Sequence, residues 1–460
     1  MSRTQNPVIV VGLGRSGTAA VNLLRSQGYA VWGTDQAPME RLSPQLRALG
    51  VPIVAGGYEG VPFEDAQFIV LSPGVPGFPA LERAEAKGVE VISELELGVR
   101  NVTAPIVAVG GTNGKSTVTT LTALMLSESG LRTFAGGNLG TPLCEAVGQD
   151  YDVLVVEVSS FQLERVRTFK PKVSILLNVT DDHLDRYPSF QAYAEAKGNA
   201  FVMQDHDDFA VIPTSDAVCL EQSARGRGWL LRFGESGDYL VSSRSVIEAA
   251  TGLEFSLAGS RLHGAHNVSN VAACIAAARK FGVGDEDIRR ALLKFEPLPH
   301  RMAFVRELSQ VRFYDDSKGT NVGASVTALR GLAEECGVLI AGGRDKFGSY
   351  EPLVSALQDK GRGLVVIGEA ANAIAGAAEG VVPIVHASNL TEAVSFAFQM
   401  AWPGDAVLLS PACASFDMFK SYGDRGDQYV AAVNALEPRE EGSAVSAGLS
   451  RVNREHEAKC

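Results

Sequence analysis

Apolar and polar positions alternate in blocks along the first hundred residues. "PVIVVGLGRSG", from Pro7 to Gly17, is an apolar run that breaks into glycines, and residues 17–27 then carry apolar positions at helical spacing. "YAVWGTD" is a second apolar run ending at Asp35, and "FIVLSPGVP" is a third ending at Ser72-Pro73-Gly74. Short apolar runs separated by helical periodicity predict βαβ units and a parallel sheet. The next run starts at Pro105, which puts a boundary near residue 97.

The middle of the chain carries three more apolar runs, "PIVAVG", "YDVLVVEVSS" and "KVSILLNVT". Each ends in polar residues: Gly111-Thr112-Asn113, Glu157, and Asp181-Asp182-His183. Ligands of parallel α/β sheets gather beyond the carboxyl ends of strands, so three such ends predict one site. Residues 201–260 read as shorter strands and turns, and "HGAHNVSNVAACIAAARKFG" as a helix stopped by Gly282. Pro297 and Pro299 mark a second boundary and a candidate hinge. Beyond it "RFYDDSKGTN", "GVLIAGGRD", "GLVVIGE", "PIVHAS" and "DAVLLSPACAS" repeat the βαβ character. Apolar periodicity stops near residue 437, which predicts a mobile polar tail over 437–460. The expected organisation is three α/β domains, residues 1–97, 98–298 and 299–436, followed by that tail.

Composition narrows the classes. A chain of 460 residues fits about three domains. Its 46% hydrophobic and 20% charged residues are an ordinary globular balance. No apolar run approaches the ~18–20 residues of a membrane helix, and the N-terminus lacks a signal-peptide pattern. The net charge of -12 disfavours nucleic acid and anionic membranes. The six cysteines, at 144, 219, 274, 336, 413 and 460, form no CxxC pair. That spacing argues against a disulfide framework or structural zinc and fits a reducing cytoplasm.

Two glycine loops carry candidate chemistry. "GLGRSG", followed by Asp35 after the next strand, suits a pyrophosphate, whether of a dinucleotide or of a UDP-sugar. "GTNGKST" places backbone amides, Lys115 and the Ser116 hydroxyl where phosphates and Mg²⁺ are held. Its GxxGK spacing is shorter than the usual GxxxxGK. The loop alone is compatible with hydrolysis, transfer to an alcohol, or joining of two molecules. Glu157 is a suitable hard-cation ligand, and His183 a less usual one. "LPHRM" and "DDSKGTN" bring Arg301, Asp316, Lys318 and Thr320 onto the third segment, where Arg and Lys are fit to clamp phosphoryl oxygens.

The ordered set GLGRSG, GTNGKST, EVSSFQL, DHLDRY, AHNVSN, PHRM, DDSKGTN and SPACASFDMFK resembles the Mur ligase family over roughly residues 7–435. Within it the chain looks like the D-glutamate-adding group, since no DNPR motif is present and SPACASFDMFK fits that group best. The resemblance implies a Rossmann-like N-terminal domain, a central P-loop ATPase domain with a parallel sheet, and a C-terminal Rossmann-like domain. It implies ATP, two Mg²⁺ ions, and UDP-N-acetylmuramoyl-L-alanine and D-glutamate as substrates of a cytoplasmic, monomeric enzyme.

Site roles follow from the same resemblance. Gly111, Thr112, Asn113, Gly114, Lys115, Ser116 and Thr117 would form the ATP loop, with Asn270, Arg301 and Asp316 as further nucleotide contacts. Ser116, Glu157, His183 and a carbamylated Lys197 would hold metal, and Lys115, His183 and Lys197 would serve catalysis. Arg15, Ser16, Asp35, Ser72 and Gly74 would hold the UDP end, with Asn138 and His183 nearer the muramyl part. Lys318, Thr320, Lys346, Ser415, Phe416 and Tyr422 would face the incoming amino acid. Tyr422 stands where the resemblance leads one to expect phenylalanine.

Other readings of the motifs explain less. A nicotinamide oxidoreductase would use GLGRSG and leave the ATP loop without a task. A small kinase or nucleotide switch would use GTNGKST and leave DDSKGTN and SPACAS without one. The closest rival is a sister ligase of different amino-acid choice, such as an L-alanine-adding or folate-glutamate ligase.

Overall fold

The computed structural model describes residues 6–42, 46, 48–262 and 264–439; the expected tail lies outside the described residues from 440 onward. Three sheets follow one another along the chain. The first has five parallel strands, β1 (Val8–Val11), β2 (Val31–Asp35), β3 (Ile53–Ala55), β4 (Ile69–Leu71) and β5 (Val91–Ser93), in the order β3-β2-β1-β4-β5. Val8 and Val10 pack into one cluster and Ile9 and Val11 into another. Period-two alternation thus feeds two apolar layers, which a parallel sheet covered on both faces requires.

The second sheet contains β6 (Ile106–Gly110), β7 (Thr133–Gly137), β8 (Val153–Glu157), β9 (Val173–Leu176), β10 (Phe209–Pro213), β11 (Trp229–Gly234), β12 (Tyr239–Val241), β13 (Ser245–Glu248) and β14 (Leu253–Ser256). Its order is β14-β13-β12-β11-β10-β9-β6-β8-β7, parallel from β7 across to β12 and closed by an antiparallel meander. The helix Ala265–Arg279 buries Val268 and every residue from Val271 to Ala278, the pattern of a helix surrounded by core.

The third sheet contains β15 (Ala303–Leu308), β16 (Val311–Asp315), β17 (Gly337–Gly342), β18 (Gly361–Ile367), β19 (Ile384–His386) and β20 (Ala406–Leu409). It runs β15-β16-β20-β17-β18-β19, parallel except for the antiparallel edge strand β15. Val338 and Ile340 face one core, Leu339 and Ala341 the other.

The α/β class and all the apolar runs read from sequence are strands here. Sequence reading missed β3, β5, β7 and β15. Two of these have three residues, β7 contains two glycines, and β15 carries an Arg and a Glu among its apolar positions. The chain groups into two compact units. One holds the first two sheets; the other holds the third sheet together with Thr180–Phe190 and Gly264–His266. No helix among the described residues is long and apolar enough to cross a membrane.

Candidate functional site

The first unit gathers its chemistry where β6, β8 and β9 end. β6 lies between β8 and β9, with Val109 opposite Glu157 and Gly110 opposite Leu176. The loop 111–114 leaves β6 and enters the helix Lys115–Glu128 through Gly114, whose φ of 86° is left-handed. A Cβ there would lie 2.7 Å from Asn270 Oδ1, so glycine is needed for both conformation and space. The same proximity puts Asn270 beside the loop. Asn178 splints the loop: its side-chain oxygen accepts from Asn113 N–H at 2.8 Å and its carbonyl accepts from Thr112 N–H at 2.9 Å. Lys115 Nζ donates to the carbonyls of Gly111 and Thr112 at 2.9 and 2.8 Å. Ser116 is buried on the first helical turn and Thr117 half-buried after it.

Lys197 approaches the same loop from the helix Phe190–Gly198. Its Nζ donates to Gly111 O at 2.8 Å and lies 4.5 Å from the centre of the Tyr193 ring. The Tyr193 hydroxyl in turn meets Thr112 Oγ1 at 3.1 Å. Glu157, 3% exposed, accepts from Asn138 Nδ2 at 2.7 Å through one carboxylate oxygen, while the other is buried without a partner. An unsatisfied buried polar atom costs about 1–3 kcal/mol, more when charged. This is a position that a divalent cation would repair, so the donor set of Glu157 and Ser116 fits Mg²⁺.

Around the first sheet, Gly14, Arg15, Asp35, Ala37 and Arg41 line a cleft of about 600 Å³. The Asp35 carboxylate is engaged by backbone, accepting from Leu13 N–H at 2.6 Å and Ala37 N–H at 2.7 Å. It therefore shapes the β1 and β2 turns. Arg15 is exposed and reaches Thr141 Oγ1 at 3.2 Å, three residues past Asn138. Ser16 is half-buried beside it. Ser72 donates to Gly12 O at 2.7 Å and caps the first glycine turn, with Gly74 two residues on. Ser16, Ser72 and Gly74 are not among the residues lining the cleft, whereas Arg41, missed in the sequence, is. Its only signal was a basic residue six places beyond Asp35.

The second unit collects the remaining candidates on the loops after β16, β17 and β20. Among the described residues seven non-glycine positions have positive φ, and five of them, His183, His300, Met302, Phe347 and Ala412, lie in or beside these loops or the 180–190 segment. Such conformations persist where surrounding structure enforces them, commonly near functional sites. Lys346 Nζ donates to Asp182 Oδ1 at 2.8 Å, and Asn321 Nδ2 donates to Asp182 Oδ2 at 3.3 Å. His183 Nε2 lies 3.7 Å from the same carboxylate. Asp182 is thus a hub that the sequence did not single out. Lys318 Nζ sits 3.9 Å from the centre of the Tyr422 ring, a cation–π pair. Thr320 N–H donates to Lys318 O at 2.9 Å. Ser415 is buried, and Phe416 next to it is 69% exposed.

Asp316 lies beneath these loops, its carboxylate accepting from Ser410 Oγ at 2.7 Å and Met302 N–H at 3.3 Å. Burial pushes its pKa up to about 7, against the pull of the Ser410 hydrogen bond and of the Arg301 charge. Among the expected metal ligands, Ser116, Glu157 and Lys197 belong to the first unit and His183 to the second; Arg301 and Asp316 likewise belong to the second.

Three family models match in chain order: the Mur ligase MurD-like N-terminal domain over residues 6–93, the Mur ligase middle domain over 109–278, and the Mur ligase glutamate ligase domain over 300–413. The UDP-N-acetylmuramoylalanine–D-glutamate ligase of Trichlorobacter lovleyi is 42% identical over 439 residues, covering 93% of this chain and 98% of its own. The ligase of the same name from Pelobacter propionicus is 42% identical, covering 95% and 100%. Among solved structures, a pseudomurein peptide ligase type C from Methanothermus fervidus superposes with TM-score 0.61 at 17% identity, covering 93% of this chain and 99% of its own. The UDP-N-acetylmuramate–alanine ligase of Thermotoga maritima gives 0.60 at 20% identity, covering 93% and 99%. These two show the shared fold.

Proposed function

The chain belongs to the Mur ligase family, and from that premise we propose that it joins D-glutamate to UDP-N-acetylmuramoyl-L-alanine, converting ATP to ADP and phosphate, in the assembly of peptidoglycan precursors. The observation that carries this reading is 42% identity, over 93% of the chain, to a ligase whose name states that reaction.

A carboxylate and an amine do not condense unaided in water, because the carboxylate is a poor electrophile and oxide a poor leaving group. Phosphorylating the alanyl carboxylate gives an acyl phosphate, which splits one hard step into two easier ones. The neutral amine of D-glutamate attacks that carbonyl, and the tetrahedral oxyanion collapses to amide and phosphate. The protein's share is positioning and charge neutralisation. The 111–117 loop would cradle the phosphates, with Lys115 leaving its two carbonyls to meet the transferred group. Glu157 and Ser116, with His183, would hold Mg²⁺, which when bound neutralises phosphate charge. Carbamylation of Lys197 would leave one N–H to donate to Gly111 and add carboxylate-like oxygens. Asn270, Arg301 and Asp316 would meet the nucleoside side. The cleft at Arg15 and Arg41, together with Ser16, Asp35, Ser72 and Gly74, would take the UDP end, and Asn138 the muramyl part. Lys318, Thr320, Lys346, Ser415, Phe416 and Tyr422 would receive D-glutamate.

We place the domain limits at 97, 298 and 436, and the enzyme in the cytoplasm as a monomer. Phosphate release from ATP, measured with UDP-N-acetylmuramoyl-L-alanine and each amino acid in turn, tests the reading. Release that requires D-glutamate, with a product mass showing one new amide, is expected. Release driven by another amino acid would move the chain to a sister activity.

A further inference from the structure

The motif SPACASFDMFKSYGDRG also holds Arg425, which the proposed site does not use. It lies on the helix Tyr422–Asn434 and is wholly buried, the largest such side chain among the described residues. A guanidinium is costly to bury, so its donors must be met. Nε donates to Ser317 Oγ at 3.0 Å, Nη2 to Ser317 O at 2.8 Å, and Nη1 to Cys413 O at 3.2 Å. Burial lowers its pKa only to about 10, so the group is charged at neutral pH.

These contacts join separate loops. Ser317 precedes Lys318 in the loop after β16, and Cys413 lies two residues before Ser415 in the loop after β20. Ser317 Oγ donates onward to Tyr422 O at 2.8 Å, fixing the start of Arg425's own helix, and the Tyr422 ring carries Lys318. A third loop closes over the same group. A Cβ on Gly343 would lie 3.3 Å from Arg425 Nη1, and Arg344 N–H donates to Ala414 O at 2.9 Å, three residues before the Lys346–Phe347 pair ends. One planar donor set therefore bonds two of the loops that carry candidate amino-acid contacts and lies beside the third, which is itself bonded to the Cys413 loop.

We propose that Arg425 is a positioning residue for the amino-acid pocket: its guanidinium sets the spacing of the Ser317–Thr320, Arg344–Lys346 and Cys413–Phe416 loops, and so governs affinity for the incoming amino acid. The proposal rests on the reading that these loops receive D-glutamate. Lysine cannot reproduce the geometry, because an ammonium is a point donor and cannot hold Ser317 O, Ser317 Oγ and Cys413 O along a fixed plane.

The test compares wild type, R425K, R425M and S317A in the full chain. Steady-state kinetics give KM for amino acid, ATP and the UDP substrate, and amide hydrogen exchange reports residues 316–320, 343–346 and 412–416. For R425K we expect KM for the amino acid to rise at least tenfold, KM for ATP to stay within twofold, and exchange in the three loops to quicken while the first unit is unchanged. A folded R425K with unchanged KM and unchanged loop exchange overturns the proposal, as does an equal loss toward all substrates. If R425M does not fold, R425K and S317A decide. Turnover of wild type with another amino acid would refute the substrate reading alone, and the KM comparison is then scored with that amino acid. Exchange requires no substrate, so unchanged protection overturns the proposal in every case.

Discussion

Lys115 donates to two carbonyls of its own loop, Gly111 and Thr112, and so is folded back on the strand end from which it springs. Both partners are neutral carbonyls, and Gly111 O also accepts from Lys197, so an anionic phosphate would compete well for the Lys115 ammonium. Lys115→Ala is expected to lower kcat by ~10²–10³-fold, the usual cost of one lost charge-stabilising donor. The melting temperature should stay within a few degrees, and a folded variant with normal kcat would remove Lys115 from the chemistry. Asp316 makes a pH prediction. Its folded pKa of about 7 lies above the ordinary 3.8. Between those values the folded protein keeps a proton that the unfolded chain has lost, so unfolding free energy falls as pH rises through that window. Asp316→Asn should remove this part of the slope, worth up to ~4 kcal/mol. Urea unfolding at pH 5 and pH 8 measures it; equal slopes in variant and wild type would show that Asp316 ionises without cost.

Strand ends and the loops that leave them carry most of what was foreseeable. β6, β8 and β9 were visible as apolar runs because both faces of a parallel sheet are covered, and they are neighbours in one sheet with Glu157 opposite Val109, whereas Asp181-Asp182-His183 belongs to the second unit. Gly114 was visible as part of a phosphate-loop pattern, and its φ of 86°, together with the 2.7 Å at which an added Cβ would meet Asn270 Oδ1, explains why. Gly114→Ala should therefore raise KM for ATP more than tenfold, with a stability loss of ~1–2 kcal/mol for the left-handed position. Calorimetric titration with ADP would check it, and unchanged affinity would mean that the loop does not hold nucleotide. The partners of the site residues were not visible. Asn178, Tyr193, Asp182, Arg41 and Arg425 are ordinary polar residues in sequence, and only the packing of distant elements gives them a role. The short or glycine-rich strands β3, β5 and β7 escaped for the complementary reason, since three residues or two glycines leave too little alternation to detect.

The two units divide the candidate chemistry between them, the phosphate loop in one and the amino-acid loops in the other. Within the second unit, Lys346 holds the 180–190 segment, because its ammonium is bonded to Asp182. A carboxylate already at hand means that Lys346 is preset for an acidic side chain, and removing it leaves Asp182 with Asn321 alone of these two donors. Lys346→Met should raise KM for D-glutamate more than tenfold while KM for ATP changes little, and should quicken amide exchange over residues 180–190. Unchanged values for both would place Lys346 outside the pocket. The four cysteines 144, 219, 274 and 413 are free and buried, so thiol reagents should modify these four slowly in the folded protein.

The segment Thr180–Phe190 also has a history. Asp182 finds its partners 139 and 164 residues further along, at Asn321 and Lys346. On the ribosome, then, it leaves the exit tunnel long before either exists. The first two sheets can close while this stretch still waits, and only the last third of translation supplies what holds it. A nascent chain arrested before Lys346 should be cut by protease within 180–190, and one released after the third sheet should resist. The order in which the pieces are made thus leaves Asp182 waiting for Asn321 and Lys346 until the third sheet has been translated.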